Sequence, residues 1–164
     1  MRNRSQVLAE NLIKWGNAEV VVTNNDPADF TSLTEVFDVV LADVPCSGYG
    51  VIGRKADIKY HASKAKENEL IHLQRTILEN AASYVKEGGT LVFSTCTVNK
   101  RENEENFRWF LEEFPFEPVS LNDCLPEELH SEETEQGYLQ LIPGVHNCDG
   151  FFLSKFRKKE DKEG

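Results

Sequence analysis

Cys46 and Cys96 lie fifty residues apart, and each stands just past the end of an apolar run. Phe37–Ala42 (FDVVLA) breaks into Asp43-Val44-Pro45-Cys46-Ser47-Gly48, and Thr90–Ser94 (TLVFS) into Thr95-Cys96-Thr97. A thiolate is a nucleophile or a metal ligand, whereas a buried thiol is simply a small hydrophobe. One cysteine at a strand end reads as packing. Two at neighbouring strand ends, one of them beside the acid Asp43, shift the reading towards chemistry. A second acid, Asp26, falls in the turn cluster Asn24–Pro27, where it serves as a turn residue or as part of the same edge. The other two cysteines, Cys124 and Cys148, lack such surroundings. The chain has no CxxC, and His146 with Cys148 is too small a set for zinc, so no metal site is expected. Nothing points to an oxidising compartment, so the four cysteines read as free thiols.

Two further patterns lie just downstream of Cys46. Gly48-Tyr49-Gly50-Val51-Ile52-Gly53 is a literal GxGxxG after a strand. The residues that follow, RKADIKYHAS, do not open an amphipathic helix to hold a pyrophosphate, and no second strand with an acidic tip follows at the usual distance. These glycines are better explained by a loop that approaches a substrate closely. Arg54, Lys55, Lys59, Tyr60, His61, Lys64 and Lys66 then mix basic and aromatic residues, as a solvated face or a phosphate contact would.

The periodicity supplies elements to position these groups. Ser5–Trp15 has helical apolar spacing and ends at Gly16-Asn17. Ala18–Thr23, Phe37–Ala42 and Thr90–Ser94 read as buried strands. Between the last two a helix is expected over Lys64–Lys86, with Leu70, Leu73, Ile77, Ala81 and Val85 on one face and Gly88-Gly89 as its stop. Asn99 and Glu102 match a capping box for a helix to Phe114. Phe116–Leu121, Tyr138–Ile142 and Phe151–Phe156 read as strands, Asn122–Gln136 as an acidic loop or short helix, and Lys158–Gly164 as a charged tail. Strands alternating with helices specify an α/β fold with a mostly parallel sheet and helices on both faces. Functional residues then gather beyond the carboxyl ends of the strands, where Asp26, Asp43, Cys46 and Cys96 all fall.

The totals narrow the class. With 164 residues and 40 % apolar content, the chain suits one folded domain, expected over 1–157. No apolar run is long enough for a membrane span, and Met1–Gly16 lacks the core of a secretory signal, so a cytoplasmic location and no membrane partner are expected. A net charge of −10 excludes a protein that grips phosphates over its whole surface. The charge is uneven, however. Val51–Lys86 holds seven basic and four acidic residues, whereas Glu102–Glu135 holds twelve acidic residues and one basic, Arg108. A basic strip on an acidic body fits local contact with nucleic acid.

Two motifs then carry a likeness. Asp43-Val44-Pro45-Cys46-Ser47-Gly48 resembles the D-x-P-C-S-G loop of the RNA cytosine C5-methyltransferases of the Nol1/Nop2/Sun family. Ser94-Thr95-Cys96-Thr97 followed by Glu102-Asn103 resembles that family's S-T-C-S/T…E-N motif, and Pro143-Gly144 with Asp149-Gly150-Phe151-Phe152 is similar to its closing segment. The likeness covers nearly the whole chain, and the bacterial 16S ribosomal-RNA members are nearest. It implies a Rossmann-like fold that uses S-adenosyl-L-methionine to methylate C5 of a cytosine in RNA, through a covalent adduct between cysteine and C6. In that scheme Cys96 is the attacking thiolate and Cys46 assists product release. Asp43 meets the N3/N4 edge of the base, and Asp26, Asp43 and Pro45 line the cofactor. Arg54, Lys55 and Lys59 are the expected RNA contacts.

Members of that family place a glycine-rich cofactor loop ahead of the first strand–helix unit, and this sequence begins after it. The expectation is a partial catalytic domain that binds cofactor poorly and does not methylate RNA alone. A non-catalytic RNA-binding or scaffold remnant of the same fold is the first alternative. A nucleotide-dependent oxidoreductase using GYGVIG is the second. The RNA itself, and the oligomeric state, are left open.

Overall fold

The computed structural model describes residues 4–16, 22, 33–51 and 63–161. The chain forms two compact units, Met1–Phe30 and Thr31–Gly164. In the first, α1 (Arg4–Lys14) matches the expected helix and closes on Gly16 in the left-handed region, φ 78°. Ile13 and Trp15 are exposed. The strand expected over Ala18–Thr23 lies outside the described residues apart from Val22, and so does Asp26.

The second unit carries a five-stranded sheet: β1 (Phe37–Asp43), β2 (Val85–Thr95), β3 (Phe116–Pro118), β4 (Tyr138–Leu141) and β5 (Phe151–Lys158). The order is β1-β2-β5-β3, with β4 also on β5. Among the described strands β1 and β2 pair in parallel, and β5 alone runs opposite to the rest, antiparallel to β2, β3 and β4. The expected α/β fold is therefore present, but its described sheet is mixed. A parallel pair needs a long crossover, and among these strands the helix α2 (Lys64–Tyr84) supplies one between β1 and β2.

Leu78, Ala81 and Ala82 of α2 pack with Phe107 and Phe110 of α3 (Glu104–Glu113) over one sheet face. That face offers Ala42, Leu91, Phe93, Phe152 and Phe156. Aromatic rings bind this core: Phe110 lies 4.7 Å from Phe156, and Phe107 4.9 Å from Tyr138, between ring centroids. On the opposite face of β1, Val39 and Leu41 are 63 % and 66 % exposed. No described helix of this unit therefore covers that face of β1.

The helix ends two residues sooner than its periodicity suggests. Val85 turns extended and is fully buried, Lys86 pairs with Asp38 at 2.9 Å, and β2 starts before the glycines. Gly88, φ 70°, and Gly89 instead carry the irregularity where the β1–β2 register jumps from Phe37↔Val85 to Val39↔Thr90. A Cβ on Gly89 would lie 2.8 Å from Val85 and 3.0 Å from the Asp38 carbonyl, so a larger residue does not fit. The acidic stretch resolves into two short 3₁₀ turns and the one-turn helix α4 (Glu132–Glu135), capped by Ser131. Strand β5 extends through Lys158, whose ammonium meets Glu35 at 2.7 Å and the Val85 carbonyl at 3.0 Å.

Candidate active site

Because β1 and β2 are parallel, their carboxyl ends open on the same edge. The last ladder partners are Asp43 and Ser94, and the Ser94 hydroxyl donates to the Asp43 carboxylate at 3.0 Å. One further backbone bond, Val44 N–H to the Ser94 carbonyl, carries the pairing past the sheet. Side chains then continue it. The Cys46 and Cys96 sulfurs are 3.0 Å apart, and the Ser47 and Thr97 hydroxyls 2.8 Å. Ladder partners differ by 51 positions and loop partners by 50, so the first loop accommodates one extra residue. Asp43, Pro45, Cys46 and Cys96 are thus brought together, with Asp43 and Pro45 exposed and both thiols half-buried. Arg54, Lys55 and Lys59 lie outside the described residues.

Two glycines decide how the loop after Cys46 packs. Gly48 takes φ 72° and leads into a short turn, Tyr49–Val51. Gly50 donates to the Cys96 carbonyl at 3.2 Å and accepts from Gly150 N–H at 2.8 Å. A Cβ on Gly50 would fall 2.3 Å from the Gly150 carbonyl oxygen and 2.8 Å from that of Cys96. Its close approach is therefore to protein backbone, not to a substrate as the glycine pattern suggests. Gly150 belongs to the Asp149-Gly150-Phe151-Phe152 segment, which in this way braces the Cys96 loop. This packing gives no support to a pyrophosphate-cradling GxGxxG, since Gly50 is already in contact with two protein backbones.

Behind the thiols lies a buried polar cluster. Glu102, fully buried, accepts from Ser47 N–H at 2.9 Å, Gln74 Nε2 at 2.9 Å and Asn99 Nδ2 at 3.1 Å. Asn103 accepts from the Thr95 hydroxyl at 2.7 Å and donates to the Thr97 carbonyl at 2.9 Å and to Gln140 Oε1 at 2.7 Å. The capping box expected at Asn99 does not form. Helix α3 starts at Glu104 with Asn103 as its N-cap, and neither Asn103 nor Glu102 caps it, because both side chains are committed to the thiol loops. Sequence patterning alone passes over Gln74. Its only signal is a polar residue on the apolar stripe of α2, four after Leu70 and three before Ile77.

Burial raises the Cys46 thiol to about 12, and its hydrogen bond to Cys96 acts in the same direction. Cys46 therefore keeps its proton at neutral pH and can donate it to the Cys96 sulfur. At pH 8, alkylation of Cys46 should trail that of the exposed Cys124 by roughly a hundredfold, after allowance for the greater nucleophilicity of a more basic thiolate. Mass spectrometry of timed iodoacetamide labelling measures this, and equal rates would contradict it. The folded chain also binds this proton more tightly than the unfolded chain, where a thiol releases it near 9.0. Stability contributed by the neutral thiol is complete below that value and declines as pH rises towards about 12. Urea midpoints should fall less steeply with pH over that window in Cys46→Ser than in the parent.

A cleft of about 640 Å³ adjoins the loops, lined by Tyr49, Ser63, Lys64, Glu67, Val98, Asn99 and Lys100. The Asn99 amide at 2.6 Å, then the Arg101 guanidinium at 2.8 Å, hold the Glu67 carboxyl below the usual carboxylate range. Among the described residues no cluster of three metal-ligating side chains occurs, and no helix is long and apolar enough to cross a membrane.

Comparisons with known proteins identify the chain's relatives. The family model for 16S rRNA methyltransferase RsmB/F matches residues 1–157. Ribosomal RNA small subunit methyltransferase F of Cronobacter sakazakii is 37 % identical over 98 % of this chain and 34 % of its own length. The Escherichia coli O157:H7 protein of the same name is 36 % identical over 96 % and 33 %. A methyltransferase homolog from Pyrococcus horikoshii has a solved structure that superposes with a TM-score of 0.77 at 31 % identity, over 95 % of this chain and 50 % of that one. NSun6 from the same organism, solved with SFG, shares the fold at a TM-score of 0.77 and 22 % identity, over 98 % of this chain and 40 % of that one. The chain thus spans about a third of the length of the curated relatives it matches. With its paired cysteine loops at the shared edge of β1 and β2, it belongs to the 16S rRNA methyltransferase RsmB/F family.

Proposed function

We propose that this chain is the thiol-bearing part of an S-adenosyl-L-methionine-dependent enzyme that methylates C5 of a cytosine in ribosomal RNA. The observation that carries the reading is the 3.0 Å contact between Cys46 and Cys96, with Asp43 on the same edge. A cytosine C5 is too weakly nucleophilic to take a methyl group directly. Addition of the Cys96 thiolate to C6 makes C5 enamine-like; after C5 is methylated, loss of its proton to a base and elimination of the thiolate restore the ring. Cys46, holding its proton beside Cys96, is suited to assist that release. Asp43 offers an exposed, oriented acceptor to the N3/N4 edge, where charge changes as C6 is attacked. The target base must leave any stack to reach this edge.

The bound cofactor supplies the methyl group. Exposed Asp43 and Pro45 present an acceptor and an apolar ring next to the thiols, a surface that fits its approach; the family likeness assigns Asp26 to the cofactor. Free thiols and a ribosomal-RNA substrate favour a cytoplasmic activity. An RNA containing 5-fluorocytosine tests the adduct, because fluorine at C5 cannot leave as a proton does. A denaturant-stable protein–RNA species that depends on Cys96 supports the reading, and its absence in a chain that carries the family's cofactor loop contradicts it.

We assign phosphate contact to Arg54, Lys55 and Lys59, and also to Lys64 and Lys100, which line the cleft. Reversing Arg54, Lys55 and Lys59 to glutamate should weaken RNA binding and lower the salt slope by about 0.7 for each phosphate no longer held. Binding measured by fluorescence anisotropy across a salt series decides this. An unchanged slope would leave the strip a solvated face.

A further inference from the structure

We infer that Gln74 and Glu102 are positioning residues that clamp the backbone on both sides of Cys46 and so set its sulfur against Cys96. This deepens the role proposed above for the two thiols and rests on that reading for its meaning, though not for its test.

The last backbone ladder bond at this edge is made by Val44. Past it, the loop's peptide groups need other partners, because unpaired buried backbone groups are costly. The two that flank Cys46 find them in one buried pair. The Pro45 carbonyl accepts from Gln74 Nε2 at 2.9 Å, and the Ser47 N–H donates to Glu102 Oε2 at 2.9 Å. Gln74 Nε2 also donates to that same Glu102 oxygen at 2.9 Å, so the clamp closes on itself. Its other end is fixed too. Asn106 Nδ2 donates to Gln74 Oε1 at 2.9 Å and to the Glu102 carbonyl at 3.0 Å, and Arg75 Nε donates to Asn106 Oδ1 at 3.0 Å. The second Glu102 oxygen accepts from Asn99, beyond Thr97 on the Cys96 loop. One side chain thus ties both thiol loops together.

Gln74, Glu102 and Asn106 are all fully buried. Apolar residues of like volume often fill such a place at no loss of stability, because burying polar groups costs desolvation. Ser47, Gln74 and Asn99 each offer the Glu102 carboxylate a neutral N–H donor. Position is what this arrangement supplies. A wide Cys46 loop would leave a proton donor out of reach of the sulfur it must serve.

The test needs neither RNA nor cofactor, so it can fail while the methyltransferase reading stands, and the reverse. Diamide takes two hydrogens from two thiols, forming one disulfide and the corresponding hydrazine. In the 164-residue chain its rate of closing Cys46 with Cys96 reports how often the sulfurs meet. Gln74→Met keeps the volume and removes all three of its hydrogen bonds. Closure should slow about tenfold, the worth of one to two hydrogen bonds to buried groups, while alkylation of the distant Cys124 is unchanged. Glu102→Gln should slow closure as well. In the unaltered chain, hydrogen exchange read by NMR should show the Ser47 amide protected by on the order of a hundredfold or more over its free rate. Wild-type closure in a folded Gln74→Met, or a Ser47 amide exchanging at its free rate, would overturn the clamp.

Discussion

Cys96→Ala is expected to abolish methyl transfer, by on the order of 10⁴-fold or more as for loss of other covalent nucleophiles, and to leave no protein–RNA adduct. Cys46→Ala should do the opposite to the adduct: addition proceeds, release stalls, and a denaturant-stable species accumulates. The likeness to the family's paired motifs motivates the asymmetry. The sulfurs touch at 3.0 Å, and burial raises the Cys46 thiol. A thiol that stays protonated is a poor first attacker and a good donor to its neighbour. The comparison belongs in a chain extended through the family's glycine-rich loop, with adducts resolved on denaturing gels. A trapped adduct in Cys96→Ala, and none in Cys46→Ala, would exchange the two roles.

The second large effect is expected at a residue with no functional group. Gly50→Ala places a methyl 2.3 Å from the Gly150 carbonyl oxygen and 2.7 Å from its carbon, and 2.8 Å from the Cys96 carbonyl oxygen. All three are backbone atoms, so no side chain can swing aside. Overpacking of this kind costs about 3 kcal/mol, the upper end of its usual range. For a chain of this size the thermal midpoint should drop by about 10 °C. The displaced backbone carries Cys96, so methylation should fall further than stability alone explains. Gly150→Ala should act alike, since its Cβ would meet the Gly50 Cα at 2.6 Å and Val98 at 2.6 Å. Calorimetry and methylation of the same samples, each a chain that carries the family's glycine-rich loop, separate the two effects. The parent chain should not bind NAD in the same titration; tight NAD binding that disappears in Gly50→Ala would instead restore the dinucleotide reading of the loop.

Much of this is legible along the chain because its causes are local. The runs FDVVLA and TLVFS are largely apolar, and the first breaks at Pro45, which cannot donate to a ladder, so the order of residues places Asp43, Cys46 and Cys96 near strand ends. The helix between them shows its period, and such a crossover allows β1 and β2 to be parallel, as they are, which puts both thiols on one edge. Their identity as a pair comes from motif likeness, not from spacing. What the chain does not show depends on register across long separations. The end of α2 at Tyr84 is decided by Val85 entering the core and by the Lys86–Asp38 pair, both tertiary contacts that outweigh the local stop signal of Gly88-Gly89. The reversed β5, antiparallel to β2, β3 and β4, makes the sheet mixed. Asn99 and Glu102 have the spacing of a capping box, yet in the fold the Ser47 N–H and the Gln74 and Asn99 side-chain amides take the Glu102 oxygens, and none is left for the helix end. Gln74 and Gly50 are the least legible of all. A glutamine on an apolar stripe and a glycine in a loop gain a role only when Pro45, Glu102, Cys96 and Gly150 are brought to them, and that proximity is set by the packed sheet, not by any stretch of sequence.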